Sequence, residues 1–274
     1  MRFALPGRKV DRRAGPQGVR PKHSARRTTE GAARKSTTAY SRENNMRDAV
    51  IVSTARTPIG RAFRGAFNNI KSPTLMAHAI RHAAARAGLE ENQVDDVVIG
   101  TVLTAGTAGM NLGRLASLAA GLGTRVPGQT IDRQCSSGLM AIAIGAKQIL
   151  VDGMEIVVAG GQDNISAVQT PYMEWVAKEA DSAVTAAAPH AYMPMLQTAE
   201  FVARKYSISR EQQDAFALQS QQRTAAAQVA GRFDAEIVPL SSTMAVVDRE
   251  TKAVSYQAVT LARDEGNRPD TSAE

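Results

Sequence analysis

Ile131-Asp132-Arg133-Gln134-Cys135-Ser136-Ser137-Gly138-Leu139 reads as the end of a short strand that turns into a helix at a cysteine. On its near side Gln129-Thr130-Ile131 is a short strand. On its far side residues 136–151 place Leu139, Ile142, Ala146, Ile149 and Leu150 on one helical face. Free N–H groups and the positive dipole end at such a helix start favour the thiolate, which is the nucleophilic form of cysteine. A lone cysteine is ordinarily a small buried hydrophobe. The succession of strand, cysteine, two small residues, glycine and helix favours the chemical reading for Cys135, with Gly138 keeping one side of the turn open.

Working outward, residues 155–159 form the next strand, closed by Gly160-Gly161. Upstream, Ala49-Val50-Ile51-Val52 is a β-branched apolar run of the kind found in buried strands, ended by the loop Arg56-Thr57-Pro58-Ile59-Gly60. A helix follows with Ser72 as N-cap and Pro73 at its first position. Leu75, Ala79, Ile80 and Ala83 are its apolar residues, and Gly88 lies beyond its end. Val97-Val98-Ile99-Gly100 is a second buried strand, and residues 111–121 a helix with Leu112, Leu115, Ala116 and Ala119 on one side. Strands alternating with helices at this spacing predict an α/β layer with a mostly parallel sheet.

After Gly161 the rhythm changes. A loop-rich stretch containing Pro171, Trp175, Pro189 and Pro194 leads into two helices, the second opened by a capping box at Ser209 and Gln212 and running to Gly231. This reads as an insertion. Residues 254–274 are polar and end without a closing strand, so the chain is expected to stop in mid-fold. The expected division is a basic disordered tail or spurious extension (1–46), an α/β domain (47–166) and an inserted loop domain (167–274). An unfinished apolar sheet of this kind is expected to aggregate or recruit a partner.

The formal charge of +7 is unevenly placed: residues 1–46 carry twelve Lys or Arg against three acids, which leaves the remainder at −2. That segment is rich in Ser, Thr, Gly and Pro and too poor in large apolar residues to fold alone. Three readings compete for it: an over-extended start with the initiator at Met46, an organelle transit peptide, and a nucleic-acid-binding arm. Gly15, Pro16, Pro21 and Gly31 interrupt the amphipathic helix of a transit peptide. Aromatic residues do not interleave with the basic ones as base stacking requires, so no nucleic-acid partner is expected.

A single cysteine excludes an intrachain disulfide and a cysteine-rich zinc site, and fits a reducing compartment. No apolar run is expected to reach the roughly 20 residues that span a bilayer, and no secretory h-region opens the chain. The expectation is a cytoplasmic protein without membrane attachment. His78 and His82 have metal-ligand spacing, but no third ligand accompanies them, so they read as two solvated histidines and no metal is expected. The glycines between Gly106 and Gly113 match neither the dinucleotide fingerprint nor the P-loop, because Gly113 is followed by Arg114.

The cysteine stretch resembles the active-site signature of the thiolase family. Ser53-Thr54-Ala55-Arg56-Thr57-Pro58-Ile59-Gly60 is similar to that family's opening. Val157-Val158-Ala159-Gly160-Gly161 with Asp163-Asn164-Ile165-Ser166 resembles the segment after the cysteine helix. Thr198-Ala199-Glu200 and the run from Ile208 to Ala217 resemble its loop domain, which the ketoacyl synthases of the same fold lack. The resemblance runs in order from about Arg47 to Asp270 and implies the N-terminal portion of an acetyl-CoA acetyltransferase or 3-ketoacyl-CoA thiolase, enzymes of fatty acid metabolism.

By that resemblance Cys135 accepts the acyl group of an acyl-CoA as a thioester and passes it to a second acyl-CoA or to free coenzyme A. Met195 is the implied methionine of the acyl pocket, and Arg268 the arginine near the coenzyme A nucleotide. The implied partners are acyl-CoA and coenzyme A, with no further cofactor, in a homodimer or homotetramer. Asp132 stands where the signature has asparagine, and Pro194 at or near a histidine of the biosynthetic enzymes. The family's Gly-His-Pro base, its second cysteine in Cys-x-Gly and its Asn-Glu-Ala-Phe oxyanion motif do not occur in these 274 residues. Loss of oxyanion donors alone costs about 10²–10³ in rate, so the chain by itself is expected to be inactive. The alternative is a non-catalytic remnant serving as an interaction or dimerisation module.

Overall fold

Val97, Val98 and Ile99 are fully shielded from water at the centre of strand β1 (Asp96–Gly100), all five of whose residues are buried. Burial of a strand on both faces requires cover on both, and the flanking helices supply it. The computed structural model describes residues 47–273. The expected basic tail, residues 1–46, lies outside the described residues.

β1 is flanked by β2 (Gln129–Ile131) and β3 (Val157–Gly161), both parallel to it, in the order β2-β1-β3. Side chains alternate across the sheet. Val97 and Ile99 join a core with Met76, Ala77 and Ile80 of helix α1 (Ser72–Arg86) and Leu112 and Ala116 of α2 (Leu112–Ala120). On the opposite face Gly145 of α3 (Ser137–Lys147) lies against Val157 and Ala159. The result is an α/β/α layer with a parallel sheet, as the alternating pattern predicts.

Several boundaries differ from the sequence reading. Lys71, not Ser72, precedes the first turn of α1, and the Ser72 hydroxyl sits 2.8 Å from that of Thr107 instead of capping the helix. In α2 the Asn111 side chain does accept from the Arg114 N–H, and Gly121 ends the helix in the left-handed conformation. The two glycines expected to close β3 are its last two residues. α3 ends at Lys147 and continues as a π turn, Gln148–Asp152.

Two apolar expectations are overturned. Residues 49–52 are not a strand, and Val50, Ile51 and Val52 are 71%, 75% and 77% exposed. The proposed inner face of α3 is turned outward: Leu139 is 71% exposed, and Ala141 and Gly145 are the residues that pack inward. A small-residue face lets this helix approach the sheet closely, and that outweighs the larger hydrophobes. The segment Gln134–Asp152 also has the length and composition to cross a membrane, with mean hydropathy 1.2, contrary to the expectation that no run would. Its inward residues pack on β1 and β3, as in the core helix of a layered domain.

From Ile165 onward the chain is mainly helical. Pro171 and Trp175, expected in a loop, lie within α4 (Ile165–Lys178). Then come α5 (Ser182–Ala187), α6 (Met195–Lys205) and α7 (Arg210–Val229), the last opened by the anticipated capping box, in which Ser209 and Gln212 each bond the other's backbone. Residues 254–261, read from the sequence only as part of a polar closing stretch, form a strand. β4 (Leu240–Val247) and β5 (Val254–Leu261) make an antiparallel hairpin whose Leu240 packs with Ala66, Phe67 and Ile70. Arg56 pins this hairpin's neighbours to the opening segment. Its guanidinium pairs with Asp264 at 2.7 Å and Glu236 at 2.8 Å and lies over the Phe233 ring. The bond to Asp264 is the largest influence on Arg56 and, despite partial burial, raises its pKa above the ordinary value.

Candidate functional site

The turn that carries Cys135 rests on three glycines. A Cβ on Gly100, the last residue of β1, would overlap the Ser137 backbone at the start of α3, and one on Gly161 would come within 2.9 Å of the Gly138 Cα. Only residues without side chains let the helix start sit directly on the ends of β1 and β3. Gly138, expected to leave the turn open, instead faces Gly161 at ordinary contact distance.

Gln134, immediately before the cysteine, has φ +49°, a left-handed conformation that costs about 1 kcal/mol or more in a non-glycine residue. Side chains of the same turn hold it there. Asp132 accepts from the Gln134 N–H at 2.8 Å, the Ser137 hydroxyl accepts from the Arg133 N–H at 2.8 Å and donates to the Gln134 carbonyl at 2.6 Å, and Ser136 donates to the Arg133 carbonyl at 2.9 Å. An asparagine oxygen could take the Asp132 bond equally well, so the aspartate does not disturb the turn. Cys135 is exposed and free, one residue ahead of the N-cap Ser136. Among the described residues the N–H groups of Gly138 and Leu139 have no acceptor, which leaves donors at the helix start beside the cysteine.

Two carboxylates that sequence reasoning does not single out brace this frame. Asp163, just after β3, accepts from the Thr101 hydroxyl and the Val102 and Leu103 N–H groups at 2.8–3.0 Å, fixing the exit of β1. Asp96, buried at the entry of β1, accepts from Gln129 at 2.7 Å and from Gln148 at 2.6 Å, tying β2 and the end of α3 to the central strand. Their signal is an acid at each border of an apolar strand, which alternation alone does not interpret.

Met195 opens α6 and is 74% exposed, and Arg268 is exposed with its backbone N–H bonded to Gln221 of α7 at 2.8 Å. Neither shares a hydrogen bond with Cys135. The fold also has a cleft of about 970 Å³ between residues 49–55 and β3, and a smaller one of about 440 Å³ beside Arg61, Arg64 and Arg263. Cys135, Met195 and Arg268 line neither. Among the described residues Cys135, Met195 and Arg268 thus share no hydrogen bond and neither of these two clefts.

The rings of His78 and His82 lie 4.5 Å apart between centroids, tilted by 57°, and are half-buried, not solvated as expected. Burial, and next the neighbouring charges of His82 and Arg81, push His78 below the usual histidine range, partly opposed by the Val238–Pro239 backbone. Among the described residues no three His, Cys, Asp or Glu side chains are placed to hold a metal ion.

Comparison with known proteins agrees with this arrangement. The family described as Thiolase, N-terminal domain, matches residues 49–274. The 3-ketoacyl-CoA thiolase of Bacillus subtilis is 40% identical over 229 residues, covering 84% of this chain and 58% of that protein. The acetyl-CoA acetyltransferase of Cupriavidus necator is 44% identical over 204 residues, covering 71% of this chain and 51% of that one. A crystal structure of the Bacillus anthracis acetyl-CoA acetyltransferase superposes with a TM-score of 0.67 at 34% identity, over 84% of this chain and 57% of that one. The chain thus spans between half and three-fifths of the relatives it matches.

Proposed function

The chain belongs to the thiolase family, and from that premise we propose that it acts in acyl transfer between coenzyme A thioesters, with Cys135 as the acyl acceptor. The observation that carries this reading is the placement of an exposed cysteine on a strained, side-chain-braced turn at a helix start. The Cys135 thiolate attacks the thioester carbonyl, the carbon–sulfur bond to coenzyme A breaks, and the released coenzyme A thiolate takes up a proton. An acyl-Cys135 thioester remains for transfer to the next acceptor. The free N–H groups of Gly138 and Leu139 at the helix start are suited to oppose negative charge on the carbonyl oxygen.

These residues supply the acyl-accepting half of the reaction. The sequence holds no second cysteine to form the carbanion needed for carbon–carbon bond formation. Within the same proposal Met195 lines the acyl pocket and Arg268 meets the coenzyme A nucleotide, in a cytoplasmic homo-oligomer of fatty acid metabolism that needs no cofactor besides its substrates.

The test is chemical. Incubation with acetyl-CoA, digestion and mass spectrometry should give an acetyl group on the Cys135 peptide, labile to hydroxylamine and lost in Cys135→Ala. An unmodified Cys135, with acetylation confined to lysines, would overturn the assignment.

A further inference from the structure

The cleft of about 440 Å³ lies where the loop after Pro58 meets the chain leaving β5, and Arg61, Arg64, Arg263, Asp264 and Glu265 line it. Both acids are already engaged. Asp264 accepts from the Arg56 guanidinium at 2.7 and 3.0 Å and from the Ile59 N–H at 2.8 Å. The Glu265 carboxylate is seated on the loop backbone, accepting from the Arg61 N–H at 2.7 Å and the Ala66 N–H at 3.1 Å, so closely that a Cβ on Gly65 would overlap it.

The three arginines are in the opposite condition. Among the described residues none of them forms an ion pair, and only the Arg61 guanidinium makes a hydrogen bond, to the Glu265 carbonyl at 3.2 Å. Like charges gathered around one concavity repel each other, and a bound anion relieves that repulsion. A guanidinium presents a planar fork that matches the oxygens of a carboxylate or a phosphate. A carboxylate offers two oxygens to three guanidiniums, and a terminal phosphate offers three. The cleft falls within the range of about 300–1,000 Å³ usual for small-molecule sites and is larger than a bare phosphate needs. Leu261 and Pro269 add apolar surface to it, and Gln228 and Asn267 add amides. A nucleic acid requires a basic track that extends beyond one cleft, whereas residues 47–274 sum to −2.

We propose that this cleft binds the phosphate end of a small ligand through Arg61, Arg64 and Arg263, at a site separate from acyl transfer. Cys135, Met195 and Arg268 line no part of it. Arg61 and Arg64 belong to the loop after Pro58 and Arg263 to the chain after β5, so the ligand clasps two segments that are distant in sequence. The inference uses nothing of the Cys135 chemistry and stands or fails independently of it.

The test is calorimetric titration of the full 274-residue chain at low salt, with inorganic pyrophosphate in one arm and ADP in the other. Saturable binding of at least one probe is expected. Arg64→Gln and Arg263→Gln should each weaken it about tenfold or more, while leaving the melting temperature of the unliganded chain unchanged because neither side chain has a partner to lose. Arg223→Gln, on an exposed position of α7 outside the cleft, should change it by about twofold or less. Tighter binding of ADP assigns a phosphorylated organic ligand and equal affinity an inorganic one, and both support the site. No saturable binding of either probe overturns the proposal, as does binding that all three variants weaken equally, which is attraction to net charge alone. A tenfold rise in the acetyl-CoA concentration that half-saturates acetylation of Cys135, seen in Arg64→Gln and Arg263→Gln, would make the cleft part of the substrate's own site and would overturn it too.

Discussion

The layer built from β1–β3 and α1–α3 and the stretch from Ile165 onward contrast in what holds them. The buried apolar residues run from Pro58 to Ala141, and beyond Ile165 only Val168 and Leu240 join them. Helices α5, α6 and α7 bury no residue, and Leu196, Phe201 and Phe216 are exposed. The first region is fixed by tertiary burial and the second by local devices: a capping box, an Asp181 cap on α5 and helix-forming composition. Helical signals in a sequence report local preference and do not reveal whether the helix has anything to lean on.

Truncating one large apolar side chain in each region is the strongest way to break that contrast. Leu112→Ala removes a fully shielded side chain from the α1–α2–β1 core, and large-to-small changes of this kind cost about 2–5 kcal/mol. Phe216→Ala removes a ring from solvent and should change stability by about 0.5 kcal/mol or less. Urea unfolding of both variants measures the difference. Equal losses would mean that the second region has a core of its own.

Gly100→Ala comes next. A methyl group there meets the Ser137 backbone, which cannot swing away as a side chain can, so the start of α3 must lift off the sheet. Overpacking costs about 1–3 kcal/mol. The same displacement moves the Cys135 turn, so acetylation of Cys135 should fall with stability. In Gly88→Ala nothing lies near the added methyl and only the left-handed φ is strained, so that variant should lose stability without losing the cysteine's reactivity.

The cysteine turn is legible in the sequence because strand, cysteine, small residues and helix are contiguous: Gln129–Ile131 and the start of α3 fall where their patterns end. The α/β order is legible for the same reason, since β-branched runs and glycine or asparagine caps are local. Which neighbours each run finds is not written locally. Val50, Ile51 and Val52 have the composition of a buried strand and stand in water because no strand flanks them. Leu139 and Ile142 have the spacing of a core face, yet Ala141 and Gly145 take the sheet. Arg268 and Met195 are implied by resemblance alone, and no local chemistry in this chain joins them to Cys135.

Ser209→Ala sharpens the contrast from the side of local structure. It removes the side-chain acceptor from the Gln212 N–H and half of the capping box, at about 1 kcal/mol of helix stability. Because α7 buries nothing, the loss should appear as faster exchange in its first turn and leave the melting of the layer in place. A lowered melting temperature for the whole chain would show that α7 is coupled to the core.

The smallest effect is a titration at the border between the two regions. His78 lies on α1 and faces Val238–Pro239, the backbone that leads into β4, and burial holds it below its ordinary value of 6.5. A histidine with a depressed folded pKa is neutral in the fold and takes up a proton more readily when unfolded. Its contribution is therefore complete above about pH 6.5 and is lost as the pH falls below that toward the folded value. Asp264, which Arg56 and the Ile59 N–H hold below its ordinary 3.8 in spite of burial, loses its contribution only at more acidic pH. Stability measured by denaturant between pH 7.5 and 5 should decline modestly, and His78→Gln should flatten that decline while leaving the acid limb below about pH 4 in place. An unchanged slope in the variant would assign the decline to another group and remove the reason for reading His78 as the ionisable contact between α1 and the hairpin's approach.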